Sequence, residues 1–73
     1  MRISYDVQAD ALYINFKEGK FVRNIEVAEG IILDMGEGEC LLGIEILEVS
    51  SRFSPAELAR VEVLMPLELT ATI

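Results

Sequence analysis

Residues 5–16 read YDVQADALYINF, and this stretch decides the fold because a polar linker in it gives way to alternating apolar residues. Alternation with a period of two predicts a half-buried β-strand. Ile3 and Tyr5 predict a short first strand before the linker. In the second strand, one side carries the apolar residues Leu12, Ile14 and Phe16.

Two aspartates, Asp6 and Asp10, bracket the linker between these strands. Aspartate side chains shape turns by accepting hydrogen bonds from nearby backbone N–H groups. We therefore interpret both residues as turn-shaping, with a functional role for either as the alternative.

Glycines mark the next three predicted turns, because glycine adopts a positive φ without strain. These turn-shaping residues are Gly19 in KEGK, Gly30 in AEG and Gly38 in GEGE. The KEGK turn is expected to reverse the chain after the second strand. The result would be a string of antiparallel hairpins.

The two later turns predict a register, because apolar residues should face apolar residues across neighbouring strands. A three-residue loop at 28–30 is preferred to a two-residue loop, which would set Ile25 opposite Asp34. The preferred loop predicts the pairs Val27–Ile31, Ile25–Leu33 and Arg23–Met35. The GEGE turn predicts the pairs Met35–Cys40, Leu33–Leu42 and Ile31–Ile44.

The opposite face of this sheet mixes charges with isolated large apolar residues, which is typical of neither a core nor a solvent face. Its candidate partner-facing residues are Tyr13, Ile32, Asp34, Leu41, Glu45 and Leu47. In the predicted register Asp34 lies opposite Leu41 and is offset from Glu45. Two acids on one face could hold Mg²⁺ or Ca²⁺ or exchange protons, but a small sheet offers little concavity for such a site.

FSPAEL at 53–58 predicts a short helix, about 55–60. Ser54 suits the N-cap, Pro55 the first helical position and Glu57 the capping box. From Val61 the pattern alternates again, interrupted at Pro66, which favours an extended arm or edge strand over about 61–73. Continuation of the helix through Leu64 is the competing interpretation.

Composition limits the functions open to this chain. The formal charge is −7, and the segment 24–51 holds seven acids and no lysine or arginine. Such a field repels phosphate backbones and attracts basic partners, although acidic charge also keeps a small apolar protein soluble. Hydrophobic residues make up 52% of 73 residues, so we expect a second copy or another protein to cover part of the surface, with a monomer as the alternative.

The sequence offers little for catalysis or cofactors. It contains no histidine and a single cysteine, Cys40, so the usual general base and a zinc or disulfide pair are missing. We predict no catalytic, cofactor or metal site. A single cysteine fits a reducing compartment, and the first residues resemble no signal peptide, so a cytoplasmic location without membrane or direct nucleic-acid binding is expected.

Two sequence blocks resemble a family of small bacterial and archaeal domains of unknown function. The first is Tyr-Asp-x-x-Ala-Asp-Ala-Leu-Tyr-Ile at residues 5–14, and the second joins Gly30 and Asp34 to Gly-Ile-Glu-Ile-Leu at residues 43–47. The resemblance covers about residues 3–53. It implies no activity or catalytic residue. Some relatives lie beside genes for small toxin-like proteins, which suggests an antitoxin role.

Together these patterns predict a single α+β domain. Its core would be a small antiparallel β-meander of four to five strands, about residues 3–48, followed by one short C-terminal helix and an extended C-terminal strand. The leading functional hypothesis is an acidic, antitoxin-like interaction domain that binds a small basic partner protein. The alternative is a homo-oligomer that binds a small ligand or a divalent cation through the acids of one sheet face. A homodimer that acts by recruiting another molecule is a third interpretation.

Overall fold

The computed structural model describes residues 1–66, which form one five-stranded antiparallel sheet and two short helices. The strands are β1 (Arg2–Asp6), β2 (Ala11–Asn15), β3 (Phe21–Ala28), β4 (Ile31–Gly36) and β5 (Cys40–Ile46). A 3-10 turn at Glu37–Glu39 joins β4 to β5, and the helices are α1 (Val49–Arg52) and α2 (Pro55–Leu58). Residues 61–66 form neither helix nor strand. The rest of the predicted C-terminal arm, 67–73, lies outside the described residues.

The strand order is β1-β2-β5-β4-β3, so the predicted meander is wrong. The KEGK segment does not fold β3 back onto β2 but carries the chain past β5 to the far edge of the sheet. Phe16 N–H donates to Leu42 O at 2.8 Å as the chain leaves β2. Gly19 has no positive φ, and a Cβ there would lie 2.6 Å from Leu42 Cδ2. A polar, glycine-bearing segment marks a loop without specifying which strand follows beside it.

The β3–β4 hairpin has the predicted pairs Ile25–Leu33 and Arg23–Met35. The predicted pair Val27–Ile31 is wrong, because Ala28 lies opposite Ile31. A two-residue turn closes the hairpin, and an irregularity between Glu26 and Ala28 takes up the extra residue. Gly30 has φ 75° in this turn.

The β4–β5 register differs from the prediction by two residues. The predicted pair Met35–Cys40 is wrong: the three-residue 3-10 turn shifts the pairing by one residue, so Met35 lies opposite Leu41. A bulge at 41–42 adds the second residue, so Leu33 lies opposite Ile44 and Ile31 opposite Ile46. A shift of two residues keeps each side chain on its face, so apolar still meets apolar and the sequence pattern cannot distinguish the two registers. Gly38 has φ 70° inside the turn.

Side chains of the sheet form rows that run across all five strands. One face, here called the apolar face, carries the row Ile3, Ile14, Ile44, Leu33 and Ile25 and the row Tyr5, Leu12, Ile46, Ile31 and Ala28. The other, here called the polar face, carries the row Arg2, Asn15, Gly43, Asp34 and Asn24 and the row Ser4, Tyr13, Glu45, Ile32 and Glu26. The sheet is therefore two-sided in chemistry.

Few apolar side chains are buried within residues 1–66. They are Val49, at 0% exposure, together with Met35 and Leu42. None of the ten residues in the two apolar-face rows falls into the buried class. The described chain therefore forms a single sheet layer without a second layer that encloses its apolar face.

The two short helices come directly after the last strand in the sequence. Sequence analysis missed α1, whose four residues carry no recognisable start signal. The Ser54 cap is confirmed: its hydroxyl accepts from Glu57 N–H at 3.2 Å, and the Glu57 carboxylate accepts from Ser54 N–H at 2.8 Å. The helix ends at Leu58 rather than near residue 60 and does not continue through Leu64.

Candidate interaction site

The centre of the polar face is a hydrogen-bonded set that spans four strands. Tyr13 on β2 donates from its hydroxyl to Asp34 Oδ2 on β4 at 2.8 Å. Asn24 on β3 donates to the other carboxylate oxygen of Asp34 at 2.5 Å. The intervening β5 residue is Gly43, where a Cβ would lie 2.6 Å from the Tyr13 hydroxyl and 2.7 Å from Ile14 O. Glycine at 43 thus lets the tyrosine ring cross β5.

This contact also affects the acid–base chemistry of the tyrosine. The hydrogen bond to Asp34 is the main reason that the pKa of Tyr13 lies above its ordinary value of 10.0. Desolvation and the negative charge of Asp34 act in the same direction. Tyr13 therefore remains a neutral hydrogen-bond donor at neutral pH, unsuited to act as a general base.

Beside this set lies the acidic patch, which we define as Glu26, Ile32, Asp34 and Glu45. Ile32 on β4 lies directly between Glu26 on β3 and Glu45 on β5. The ion pairs within residues 1–66 join Lys20 to Glu37, Arg23 to Glu39 and Arg60 to Glu62. None of them neutralises a carboxylate of the acidic patch.

The six sequence-predicted partner-facing residues are only partly brought together. Four of them, Tyr13, Ile32, Asp34 and Glu45, are neighbours on the polar face. Leu41 lies opposite Met35 rather than opposite Asp34, because the 41–42 bulge moves it out of the polar rows. Leu47 follows β5 at the sheet end, where its N–H donates to Gly30 O at 2.8 Å.

The two linker aspartates act differently in the structure. Asp6 Oδ1 accepts from the N–H groups of Gln8 and Ala9, at 3.0 and 3.1 Å, within the β1–β2 turn. Asp10, with φ 52°, accepts from the Tyr5 hydroxyl at 2.6 Å. It also accepts from the N–H and hydroxyl of Ser50, 40 positions away, at 3.1 and 2.7 Å. Asp10 thus joins the first hairpin to α1.

Arg52 forms a second joint that sequence analysis missed. Its guanidinium donates to Leu47 O at 2.7 Å and to Glu29 O at 2.5 Å, which ties α1 to the β3–β4 turn. The turn tolerates this approach because Gly30 has no side chain to meet the guanidinium. Both joints connect residues far apart in sequence, so no local pattern signals them.

Most acids of the described residues are spread over the sheet and its turns. Within residues 1–66, no group of three or more His, Cys, Asp or Glu side chains is placed to hold a metal ion.

A shallow concavity of about 430 Å³ lies at the β1–β2 side of the polar face, between residues 1–4 and 13–18. Its charged lining residues are Arg2, Lys17 and Glu18, none of which belongs to the acidic patch. Among the helices that the structure describes, none is long and apolar enough to cross a membrane.

The apolar face carries a groove of its own. A cavity of about 190 Å³ lies between the sheet and the segment around α2. Its apolar lining comes from β1, β2 and this segment: Ile3, Leu12, Ile14, Phe53, Leu58 and Val61. Beyond the groove the chain stays exposed and apolar, with Val63 at 67% and Leu64 at 88% exposure.

Comparison with known families places the sheet in a defined group. A family model described as "Protein of unknown function (DUF2283)" matches residues 2–50, which hold all five strands and the start of α1. The chain belongs to this family. The capped helix α2 and the residues after it lie outside the match.

One curated relative extends the comparison. The chain is 36% identical over 56 residues to a Methanosarcina mazei protein named "Putative hypoxanthine phosphoribosyltransferase". The match covers 77% of this chain and 45% of that relative, so the chain spans about half the length of the relative. No solved structure matches.

Proposed function

We propose that this domain is a non-catalytic interaction module that binds a basic partner protein through its acidic patch. The observation that carries the proposal is the row in which Ile32 lies between Glu26 and Glu45, next to Asp34. No ion pair within residues 1–66 involves these carboxylates. An apolar centre with carboxylates on both sides suits a partner segment that places an apolar side chain between lysines or arginines.

Binding fits this surface better than catalysis does. The sequence has no histidine, and the raised pKa of Tyr13 keeps the phenol protonated. The acids of the patch lie on an open sheet face, whereas acid–base chemistry works best in a cleft that excludes water. An open face of mixed charge and apolar character is the form that a protein-binding surface takes.

The antitoxin-like version of this proposal names a small cationic protein as the partner. The formal charge of −7 would draw such a partner towards the domain, and the patch would hold it by charge complementarity. This version predicts a complex that salt weakens, because ions screen exposed charges over about 8 Å at physiological ionic strength.

We do not propose for this chain the activity in the name of the Methanosarcina mazei relative. The aligned region is less than half of that protein, so the rest of it has no counterpart in the alignment. The sequence of this chain has no glycine-rich phosphate loop.

A peptide titration tests the acidic patch. The isotope-labelled domain is titrated, at low and at high salt, with a short synthetic peptide that alternates lysine and valine. A peptide that alternates glutamate and valine serves as the control. We expect amide shifts at Glu26, Ile32 and Glu45 with the lysine peptide alone, and smaller shifts at high salt. Equal responses to the two peptides, or shifts confined to other surfaces, would refute the proposed site.

A matched pair of variants sharpens this test. Glu45→Gln removes one patch charge without changing side-chain size, and we expect it to weaken peptide binding several-fold. Glu37→Gln removes the same charge from the 3-10 turn at the other end of β4, away from the patch, and should leave the affinity nearly unchanged. If both variants weaken binding equally, net charge alone attracts the peptide and the patch is not a specific site.

A further inference from the structure

We propose that the apolar face is covered by the apolar face of a second copy of this chain, so that two sheets pack into a sandwich with both acidic patches outward. The starting observation is the row Ile3, Ile14, Ile44, Leu33 and Ile25, which crosses all five strands without one buried member. In a stable two-layer domain such a central row is normally enclosed.

Charge favours contact between the apolar faces of two copies over contact between their polar faces. The two apolar-face rows contain no charged residue. Arg23, at their margin, is already paired with Glu39 at 2.9 Å. Two copies that met through their polar faces would oppose acidic patches, whereas contact through the apolar faces places the patches on opposite sides of the assembly. Packed sheets lie about 10 Å apart, so the patches would be separated by more than a Debye length.

Area indicates which residues take part. The α2 segment already lies over the β1–β2 side of this face, where Phe53, Leu58 and Val61 line the groove. The three remaining strands, about 4.8 Å apart and about five residues long, leave roughly 250 Å² per copy for a second sheet. A stable interface buries about 1,200–2,000 Å² in total, so the flat face alone falls short. The exposed apolar segment that follows α2, with Val61, Val63, Leu64 and Met65, provides the additional surface. We therefore place residues 61–65 of each copy in the interface.

Light scattering on the full chain tests this assignment over a wide range of protein concentration, at low and at high salt. We expect twice the chain mass of 8.1 kDa, retained at high salt because salt does not weaken apolar burial and it screens repulsion between the acidic copies. A folded species of 8.1 kDa at every concentration would overturn the proposal and leave the face to a different protein. That result would not affect the peptide titration, which tests the acidic patch separately.

Two isoleucines provide matched variants. Ile44 and Ile32 lie on neighbouring strands, are both half-buried and belong to opposite faces. We expect Ile44→Lys to give monomers and Ile32→Lys to leave the dimer intact. Circular dichroism verifies that both proteins are folded. Equal loss of the dimer in both variants, or dimers in both, would contradict the assignment.

A third variant covers the case in which Ile44→Lys does not fold. Leu64→Asp changes a side chain that is 88% exposed, so it should leave the fold intact. We expect it to raise the dimer dissociation constant at least several-fold. In the wild type, the melting temperature should also rise with protein concentration, as it does for a dimer. An unchanged dissociation constant together with a concentration-independent melting temperature would overturn the proposal.

Discussion

The side chains on the two faces of the sheet differ in how they are hydrogen-bonded and buried. On the polar face, Tyr13, Asp34 and Asn24 bond to one another across four strands, and buried Gly43 makes room for them. On the apolar face, ten residues lie in two rows with none of them buried. The polar face is therefore held together by hydrogen bonds within one chain, whereas the side chains of the apolar face stay partly exposed in the single chain. Substitutions on the two faces should change different measurable quantities.

Gly43→Ala should produce the largest effect, because it breaks the internal bonding of the polar face. The new Cβ would meet the Ile14 carbonyl oxygen, a backbone atom that cannot move without shifting β2. We expect a loss of about 1–3 kcal/mol in the free energy of unfolding. Chemical denaturation measures it. Gly38→Ala is the control, because nothing lies within 4 Å of its Cβ and only the positive φ costs energy, about 1 kcal/mol. Equal losses would show that Gly43 provides no special clearance.

Tyr13→Phe should remove the hydrogen bond to Asp34 while keeping the ring. We expect a loss of about 1 kcal/mol at neutral pH. Because folding raises the pKa of Tyr13, its contribution is complete below pH 10.0 and is lost as the pH rises through the folded value. Thermal melts between pH 8 and pH 11 should therefore bring the wild type and the variant together at the alkaline end. A constant difference across this range would contradict the role assigned to the bond.

Asp10→Asn should weaken the joint between the first hairpin and α1 by a smaller amount. Hydrogen bonds from Ser50, and then from Tyr5, hold the pKa of Asp10 below its ordinary value of 3.8. Its stabilisation is thus present above pH 3.8 and is lost as the pH falls through the folded pKa. Acid melts should show a steeper loss of stability below pH 4 in the wild type than in the variant. Parallel curves would show that the carboxylate contributes nothing as an anion.

Ser54→Ala should have the smallest effect on unfolding, because α2 lies outside the sheet. Loss of the cap costs about 0.5–1 kcal/mol, mostly as fraying of one four-residue helix. Ser4→Ala, on the polar face, is the matched control. Hydrogen exchange at residues 55–58 should increase in Ser54→Ala alone. Unchanged exchange there would mean that the capping box does not hold the helix.

The sequence predicted local features of this fold well. Alternation located the strands, and the signals at residues 53–58 located the cap of α2. Its errors concern relations between distant segments. Period-two patterning cannot distinguish registers two residues apart, so the 41–42 bulge and the pairing of Asp34 with Gly43 were missed. The composition of a loop does not show which strand will pair with the strand that follows it. For this reason β3 was expected beside β2.

For the candidate site, too, the sequence predicted the local placement of residues but not their distant contacts. Asp34, Glu45, Ile32 and Tyr13 were assigned to one face from alternation alone, and the structure places them together. The role of Gly43 depends on a ring that crosses a strand, and the second role of Asp10 depends on a partner 40 positions away. Neither contact can be predicted from the local sequence pattern.

Solvent access at isoleucine methyl groups tests the difference between the two faces most directly. A soluble paramagnetic agent is added to protein labelled at its isoleucine methyls, and the relaxation of Ile44 and Ile46 is compared with that of Ile32. All three side chains are half-buried in the single chain. If a second copy covers the apolar face, the agent relaxes Ile32 strongly and Ile44 and Ile46 weakly. Equal relaxation of all three would contradict the central claim that the apolar face is covered in solution.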